Sequence, residues 1–410
     1  MDNSYQISGN LVLPYASEYY AENRPRDIRE QVYDKLRVIR DDIYVNHHQI
    51  TTQLNTIDQY HQISLQKIVD LSNRVQFLEN QVSAIRLQIP VDRVLYINIE
   101  SERISFIRGF MEDLEQMSNY ADLFCNLIRG LSPGDIETVV RVIKRIIQVA
   151  TSEEQMMNIY SLEEQGSIRD LWDHFDKNIL KLSDSLYSYY QYLLPYNNFN
   201  PSVLYYRHGM DTLQTLNYIS SRDIIDAGAF IGDSALVLSP YTNKNVYSFE
   251  PIEQNANYFK QTMELNHMTN VVLEQRALSN KTGTLPIYLT EDLDANSVLK
   301  PNRADNEAVL IPCITLDQYV QQHNLQVGLI KADVEGAEQF ILEGAMDTIR
   351  RFRPTLLLSM YHTAEQFFGL KPMIEKWDLG YTFRIYRPAM LNVLTDTILI
   401  AECQDWVSGI

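Results

Sequence analysis

The segment Ile224-Ile225-Asp226-Ala227-Gly228-Ala229-Phe230-Ile231-Gly232-Asp233-Ser234 puts two glycines and two carboxylates where an apolar, β-branched run gives way to a helical pattern. In such a strand, turn and helix, Gly228 lets the backbone turn sharply, and Gly232 lets the helix start approach a ligand or the strand closely. Asp226 decides the chemistry. A phosphate held at a helix N-terminus is not served by a carboxylate at the strand end, whereas a ligand carrying an ammonium is. Glu250, within Ser248-Phe249-Glu250-Pro251 and 24 residues after Asp226, ends the next strand where a doubly wound nucleotide fold hydrogen-bonds ribose hydroxyls. A nicotinamide dinucleotide wants three glycines in the G-x-G-x-x-G spacing, and only Gly228 and Gly232 stand here. S-adenosylmethionine, a nucleoside with an ammonium and a sulfonium, suits the two carboxylates better. A glycine turn alone is weak evidence, because many such turns are only turns.

These side chains need a sheet to hold them. From Asp223 onward short β-branched runs alternate with helical stretches: Ile224-Ile225, Val246 to Phe249, Val271 to Leu273, Val309 to Ile311, Gly328 to Lys331 and Thr355 to Ser359. The alternation predicts βαβ units and a mainly parallel sheet, with an antiparallel hairpin from Tyr381–Tyr386 and Thr397–Ala401. Before about Ser220 the chain reads as helix almost throughout, because apolar residues recur at three- and four-residue steps. Ser132 with Asp135, Thr151 with Glu154 and Ser167 with Asp170 read as starts of separate helices. The tyrosines at 187, 189, 190, 192, 196, 205 and 206 read as an amphipathic helix packed on the α/β half of the chain, with stacking on sugar rings as their other use.

From Tyr33 to Ile85 one register keeps a seven-residue repeat. Leu36, Ile43, Ile50, Ile57, Ser64, Leu71, Leu78 and Ile85 take its d positions, and Tyr33, Arg40, His47, Leu54, His61, Ile68, Val75 and Val82 its a positions, of which Arg40, His47 and His61 are polar. One helix cannot bury such a stripe, so a second copy of the chain is expected as its partner, a dimer, with an antiparallel fold-back onto the same chain as the alternative. The reading is thus an α/β, Rossmann-like domain preceded by an all-α region: residues 1–90 long helix and coiled coil, 91–195 helical domain, 196–410 α/β domain.

Residues of about 200–402 resemble the FkbM family of class I S-adenosylmethionine-dependent methyltransferases. The resemblance rests on Asp226-Ala227-Gly228-Ala229 with Gly232, Phe249-Glu250-Pro251, Asn266, Ala277-Leu278-Ser279 and Thr315-Leu316-Asp317. Above all it rests on Ile330-Lys331-Ala332-Asp333-Val334-Glu335-Gly336-Ala337-Glu338, followed by Gly344-Ala345, Arg353-Pro354 and Tyr361-His362. It implies a seven-stranded sheet whose last strand is antiparallel, and methyl transfer to an oxygen of a sugar, glycan or related acceptor, leaving S-adenosylhomocysteine. It places Asp226, Gly228, Ala229 and Gly232 around the methionine end of the cofactor, Glu250 and Pro251 at the ribose, and Arg276 and Ala277 near the adenine. It also makes His208-Gly209 a segment that covers the cofactor, and sets Lys331, Asp333 and Glu335 at the carboxyl end of the fourth strand. Phe230 stands where many methyltransferases have glycine.

A hydroxyl is a poor nucleophile until its proton is taken, so a general base is expected near the sulfonium. Asp333 and His362, after adjacent strands, are the candidates, with Lys331 and Glu335 beside them. Asp333, Glu335 and His362 are also hard-metal ligand types, but no spacing compels a metal. Glu291 to Ser297, in a long insertion, reads as a solvated acidic loop or a lid over the acceptor.

The whole chain narrows these readings. Its 410 residues suggest two or three domains, and its 45% apolar and 21% charged content is that of a folded globular chain. The net charge of −18, shared as −9 on each side of Pro195, argues against a nucleic-acid partner. Cys125, Cys313 and Cys403 form neither a disulfide nor a zinc pattern, which makes a reducing cytoplasm the expectation. No apolar run is long enough to cross a bilayer and Met1 to Pro14 lacks a signal peptide's features, so membrane contact is expected only at the inner face, peripherally. Two further readings stand beside O-methyl transfer: a non-catalytic scaffold that keeps the cofactor fold, and transfer to nitrogen.

Overall fold

The structure is a computed structural model, and it describes residues 95–102, 106–117, 119–288 and 308–407. The expected coiled coil of Tyr33 to Ile85 and the acidic loop of Glu291 to Ser297 lie outside the described residues.

Seven strands form the central sheet: β1 (Asp223–Ala227), β2 (Val246–Phe249), β3 (Val271–Glu274), β4 (Val327–Ala332), β5 (Thr355–Ser359), β6 (Tyr381–Tyr386) and β7 (Ile398–Cys403). Their order is β6-β7-β5-β4-β1-β2-β3, and β7 runs antiparallel to both neighbours. This mixed sheet, with its antiparallel last strand and the β6–β7 pair, is the one expected. β1, β4 and β5 are buried along their whole length, which is why they read as unbroken apolar runs. The chain builds β1, β2 and β3 outward in one direction, then returns to lay β4 on the other side of β1. That reversal opens a crevice at the carboxyl ends of β1 and β4, where open α/β sheets bind ligands.

Register explains the polar residues inside the sheet. Lys331 on β4 pairs with Asp226 on β1, which pairs with Ser248 on β2, so three polar side chains form a row across three adjacent strands.

Among the described residues, the helices of nine or more residues that precede the sheet are α1 (Arg108–Gln116), α2 (Tyr120–Ile128), α3 (Pro133–Thr151) and α4 (Leu162–His174). Ser132 caps α3 through the Asp135 N–H, as expected. Thr151, by contrast, is the last residue of α3, and Ser167 lies inside α4. The cap of α4 is Ser161, which forms a full capping box with Glu164. The helices among and after the strands include α5 (Asp233–Leu238), α6 (Glu253–Leu265), α7 (Glu338–Glu343) and α8 (Ala364–Glu375). One apolar cluster runs from Phe110, Leu127, Val139 and Ile168 of α1 to α4 into Leu356 and Phe367 of β5 and α8. The helices before the sheet therefore share its core.

Two expectations fail. Residues 179–194 are not helical but an antiparallel sheet of Ile179–Ser183, Leu186–Tyr189 and Tyr192–Leu194. Tyrosine suits a pleated surface, and period-two placement of Tyr187 and Tyr189 outweighs the mixed three- and four-residue spacing. Asn266 at the end of α6 bonds both backbone groups of Leu193, accepting its N–H at 2.9 Å and donating to its carbonyl at 2.7 Å. The run Val309 to Ile311 also stays out of the central sheet. It belongs to Ala308–Ile314, antiparallel to Gly283–Tyr288 and parallel to Ala277–Leu278. Val309 and Leu310 are both exposed, because the strand begins at the surface and its burial starts only at Ile311.

Candidate functional site

A cavity of about 320 Å³ opens at the carboxyl ends of β1, β2 and β4. Its floor is the turn after β1. Gly228, at φ +77°, is held there by hydrogen bonds from its own N–H and that of Ala229 to the Phe249 carbonyl, both at 3.1 Å. A Cβ at position 228 would lie 1.8 Å from the Asp333 carbonyl oxygen, so only glycine lets the turn after β1 pass the end of β4. Gly232, at φ +92°, serves a different contact: a Cβ there would meet Met263 and Phe259 of α6, and the residue does not line the cavity. Ala229 is likewise buried against Ala235 and Phe259.

Asp226, expected beside the cofactor's ammonium, does not reach the cavity. It is fully buried, with Oδ1 3.2 Å from Lys331 Nζ and Oδ2 accepting from Ser248 at 3.1 Å. Lys331 also donates to the Gly228 carbonyl at 2.8 Å. Burial alone would lower its pKa, and Asp226 and Asp333 reverse that and keep the ammonium charged. Register produces this: side-by-side residues on adjacent strands meet each other before they meet a ligand. Lys331, expected among the catalytic residues, thus ties β4 to the glycine turn from below.

Glu250 does line the cavity, beside Pro251. Its carboxylate accepts the Phe230 N–H at 3.0 Å, the Ile252 N–H at 2.9 Å and the Asn255 amide at 3.4 Å. Phe230, at φ +46°, adopts the left-handed conformation usual for glycine and presents its N–H to Glu250. Burial pushes the Glu250 carboxyl up to about 7 against those donors.

The far wall comes from Ala277 to Lys281 and from Leu285, Ile287 and Ile311 of the small sheet. Ala277 is in place, but Arg276 turns away to pair with Glu274 at 3.0 Å. His208 does not line the cavity. At φ +51° it is buried with Nε2 3.0 Å from Ser234 Oγ, and burial with the nearby Lys331 charge pushes its pKa down to about 3, so it is neutral. Sequence reasoning missed the apolar wall, because Leu285 and Ile311 sit on strands whose patterns carry no ligand-binding signature.

Past β4 the chain turns through Glu335 and Gly336, at φ +54° and +98°. Asp333 and Glu335 line the cavity, and His362 lies behind them, its Nε2 3.5 Å from Asp333 and 3.4 Å from Glu335. The sequence pairing of Asp333 with His362 is therefore met in space. Glu338, not singled out, joins them, with Oε1 3.3 Å from His362 Nδ1. Burial alone would raise the Asp333 carboxyl, but His362 and Lys331 outweigh it and hold it below its ordinary value. Glu335 is pushed up by burial, with His362 opposing. For His362, burial is overcome by Glu335 and Glu338, which raise its pKa well above the ordinary value.

The seven-stranded mixed sheet, with its crevice where the chain reverses between β1 and β4, defines an α/β methyltransferase-like fold. Within it, residues 226–385 match the model of the methyltransferase FkbM domain. Methyltransferase 1 of Beauveria bassiana is 24% identical over 188 residues, 40% of this chain and 74% of the relative. Methyltransferase sdnD of Sordaria araneosa is 25% identical over 191 residues, 39% of this chain and 72% of the relative. A methyltransferase FkbM from Methylobacillus flagellatus aligns in structure with a TM-score of 0.45 at 17% identity, over 72% of this chain and 60% of that one. No helix among the described residues is long and apolar enough to cross a membrane.

Proposed function

We propose that this protein transfers the methyl group of S-adenosylmethionine to a hydroxyl of a sugar, glycan or related acceptor. The observation that carries the reading is Glu250, a buried carboxylate lining a mostly apolar cavity, with three N–H donors fixing its orientation. Such a carboxylate can take both ribose hydroxyls of a nucleoside, while Leu285, Ile287 and Ile311 flank a flat base. The methyl donor's charged end then points to Asp333 and Glu335 at the end of β4. Transfer is an in-line displacement: the oxygen–carbon bond forms as the carbon–sulfur bond breaks, and sulfur keeps the electron pair. The protein's work is to align the two about 3 Å apart and to accept the hydroxyl proton. Asp333 and Glu335 are the carboxylates placed for that acceptance, with His362 touching both.

The N-terminal heptads of Tyr33 to Ile85 extend the proposal to a dimer that presents two such sites to a large acceptor.

Calorimetric titration with S-adenosylmethionine and S-adenosylhomocysteine tests the cofactor assignment, on wild type and Glu250→Gln. Saturable binding that weakens in Glu250→Gln supports it, and a wild type that binds neither compound overturns it. Transfer of labelled methyl from the loaded enzyme to a panel of glycans and amines then tests the acceptor atom. Label found only on amines would refute transfer to oxygen.

A further inference from the structure

Behind the acceptor end of the cavity, the carboxylates of Asp333, Glu335 and Glu338 converge on one imidazole, that of His362. Lys331 is already committed to Asp226 and the Gly228 carbonyl. A single imidazolium cannot balance three carboxylates, of which Glu338 is fully buried and Asp333 and Glu335 are partly so, and charge taken out of water is costly unless it is paired. His362 itself points to what is missing: its side chain is 3% exposed, and neither ring nitrogen has a hydrogen-bond partner, although both face carboxylate oxygens. The donor atoms of Asp333, Glu338 and His362 all lie within 4.8 Å of one another. With metal–oxygen distances of about 2.0–2.6 Å, the ligands of one ion span no more than about 5 Å.

The groups around these donors are also those a metal centre needs. Glu338 accepts the Val334 N–H at 2.9 Å through Oε1, and its Oε2 accepts from the Gln366 amide. Asp333 accepts from the Tyr361 hydroxyl at 3.2 Å. Such outer partners fix the orientation of ligands. Phe106 packs edge-on against both Tyr361 and His362.

We propose that Asp333, Glu338 and one ring nitrogen of His362 bind a divalent cation, with Mn²⁺ as the best match. Two carboxylates favour a hard ion, and one imidazole favours a first-row transition ion over Mg²⁺. The second ring nitrogen keeps its proton and faces a carboxylate, which sets the tautomer. Glu335, which lines the cavity and is not needed as a ligand, is left to accept a proton. Resting on the hydroxyl-methylation reading, the ion's role is to bind the acceptor oxygen and increase the acidity of its proton. That proton passes to the Glu335 carboxylate as the oxygen attacks the methyl carbon and sulfur departs as a neutral thioether.

The test uses the full chain, stripped with a chelator and dialysed. Mn²⁺ is titrated by electron paramagnetic resonance, which reads the free ion, and S-adenosylmethionine binding is measured separately by calorimetry. One Mn²⁺ per chain is expected in the wild type, with cofactor binding retained but ion affinity reduced by about 100-fold or more in His362→Gln and Glu338→Gln, since losing only a group that orients a ligand costs about 10–100-fold. A second readout needs no variant. The signal of bound S-adenosylmethionine carrying a ¹³C methyl should broaden on adding substoichiometric Mn²⁺, because the site borders the cavity. A wild type that binds the cofactor but no Mn²⁺ at millimolar concentration overturns the metal site and leaves the proposed function standing. Mn²⁺ binding unchanged in both variants, or a methyl signal that does not broaden, overturns the location. Mn²⁺ bound without any cofactor binding upholds the site and refutes the function.

Discussion

Replacing Lys331 by methionine keeps the length and apolar stem of the side chain and removes its charge. The carboxylate of Asp226 would then be left fully buried with Ser248 as its remaining donor, and the Gly228 carbonyl would lose the donor at 2.8 Å. Breaking a buried ion pair on one side costs about 3–5 kcal/mol, whereas replacing both partners by uncharged groups is often nearly neutral. Lys331→Met should therefore lower stability by about 3–5 kcal/mol, and Asp226→Asn with Lys331→Met should recover all but about 1 kcal/mol of it. Cofactor affinity should follow a different course. The Gly228 turn is untied from β4 in both variants, so binding stays weak even where stability returns. Urea unfolding followed by tryptophan fluorescence and circular dichroism, with S-adenosylmethionine calorimetry beside it, measures both. A single variant that loses less than about 1 kcal/mol, or a double variant no more stable than the single one, would refute the ion pair as the tie between β4 and the turn.

Gly228→Ala places a Cβ 1.8 Å from the Asp333 carbonyl and forces an L-residue to hold φ +77°, so it should abolish cofactor binding, as read by calorimetry on protein whose circular dichroism is otherwise native. Glu250 gives a pH signature. Its folded pKa of about 7 lies above the ordinary 4.5, so the ligand-free folded chain binds more protons between those values and loses stability as pH rises, by about 3 kcal/mol in all. Ribose hydroxyls donate to the charged form, so cofactor affinity should instead rise between pH 6 and 8. Both slopes should vanish in Glu250→Gln, and a titration series of thermal unfolding and calorimetry checks them together. Asp333→Asn, which removes a carboxylate from the acceptor end of the cavity, should lower turnover by about 10²–10⁴ while keeping cofactor affinity. Removing residues 1–90 should turn a dimer into a monomer in light scattering with cofactor affinity intact, and an unchanged assembly would remove the heptads from that role.

The sheet was legible because its central strands are buried on both faces and so spell unbroken apolar runs, as Ile224-Ile225 and Leu356-Leu357-Leu358 do. The small sheets were not. Tyr187 to Leu194 and Val309 to Ile311 are only partly buried and without alternation, and such a short run carries too little periodicity to separate strand from helix or to name its sheet. At the site, the identities of the chemical residues were legible but their directions were not. Asp226 and Asp333 both end central strands in the sequence, yet register turns one into the sheet and leaves the other at the cavity. Glu338 went unnoticed because its part depends on the left-handed backbone at Glu335 and Gly336, which brings the start of α7 back against His362.

That turn organises the block from Lys331 to Glu338. Each of its polar residues answers a separate geometric demand. Lys331 must reach Asp226 and the Gly228 carbonyl across the sheet. The Asp333 N–H continues the β1 to β4 pairing by donating to the Ala227 carbonyl at 3.1 Å, which frees its side chain to face the cavity. The Asp333 carbonyl in turn occupies the space that a side chain at position 228 would need, so the two loops constrain each other. Glu335 then takes a left-handed conformation disfavoured for residues other than glycine by about 1–2 kcal/mol, and in return points its carboxylate at His362. Substituting any of these residues disturbs a different contact, so the block tolerates change at few positions even though only Asp333 and Glu335 of its polar side chains line the cavity.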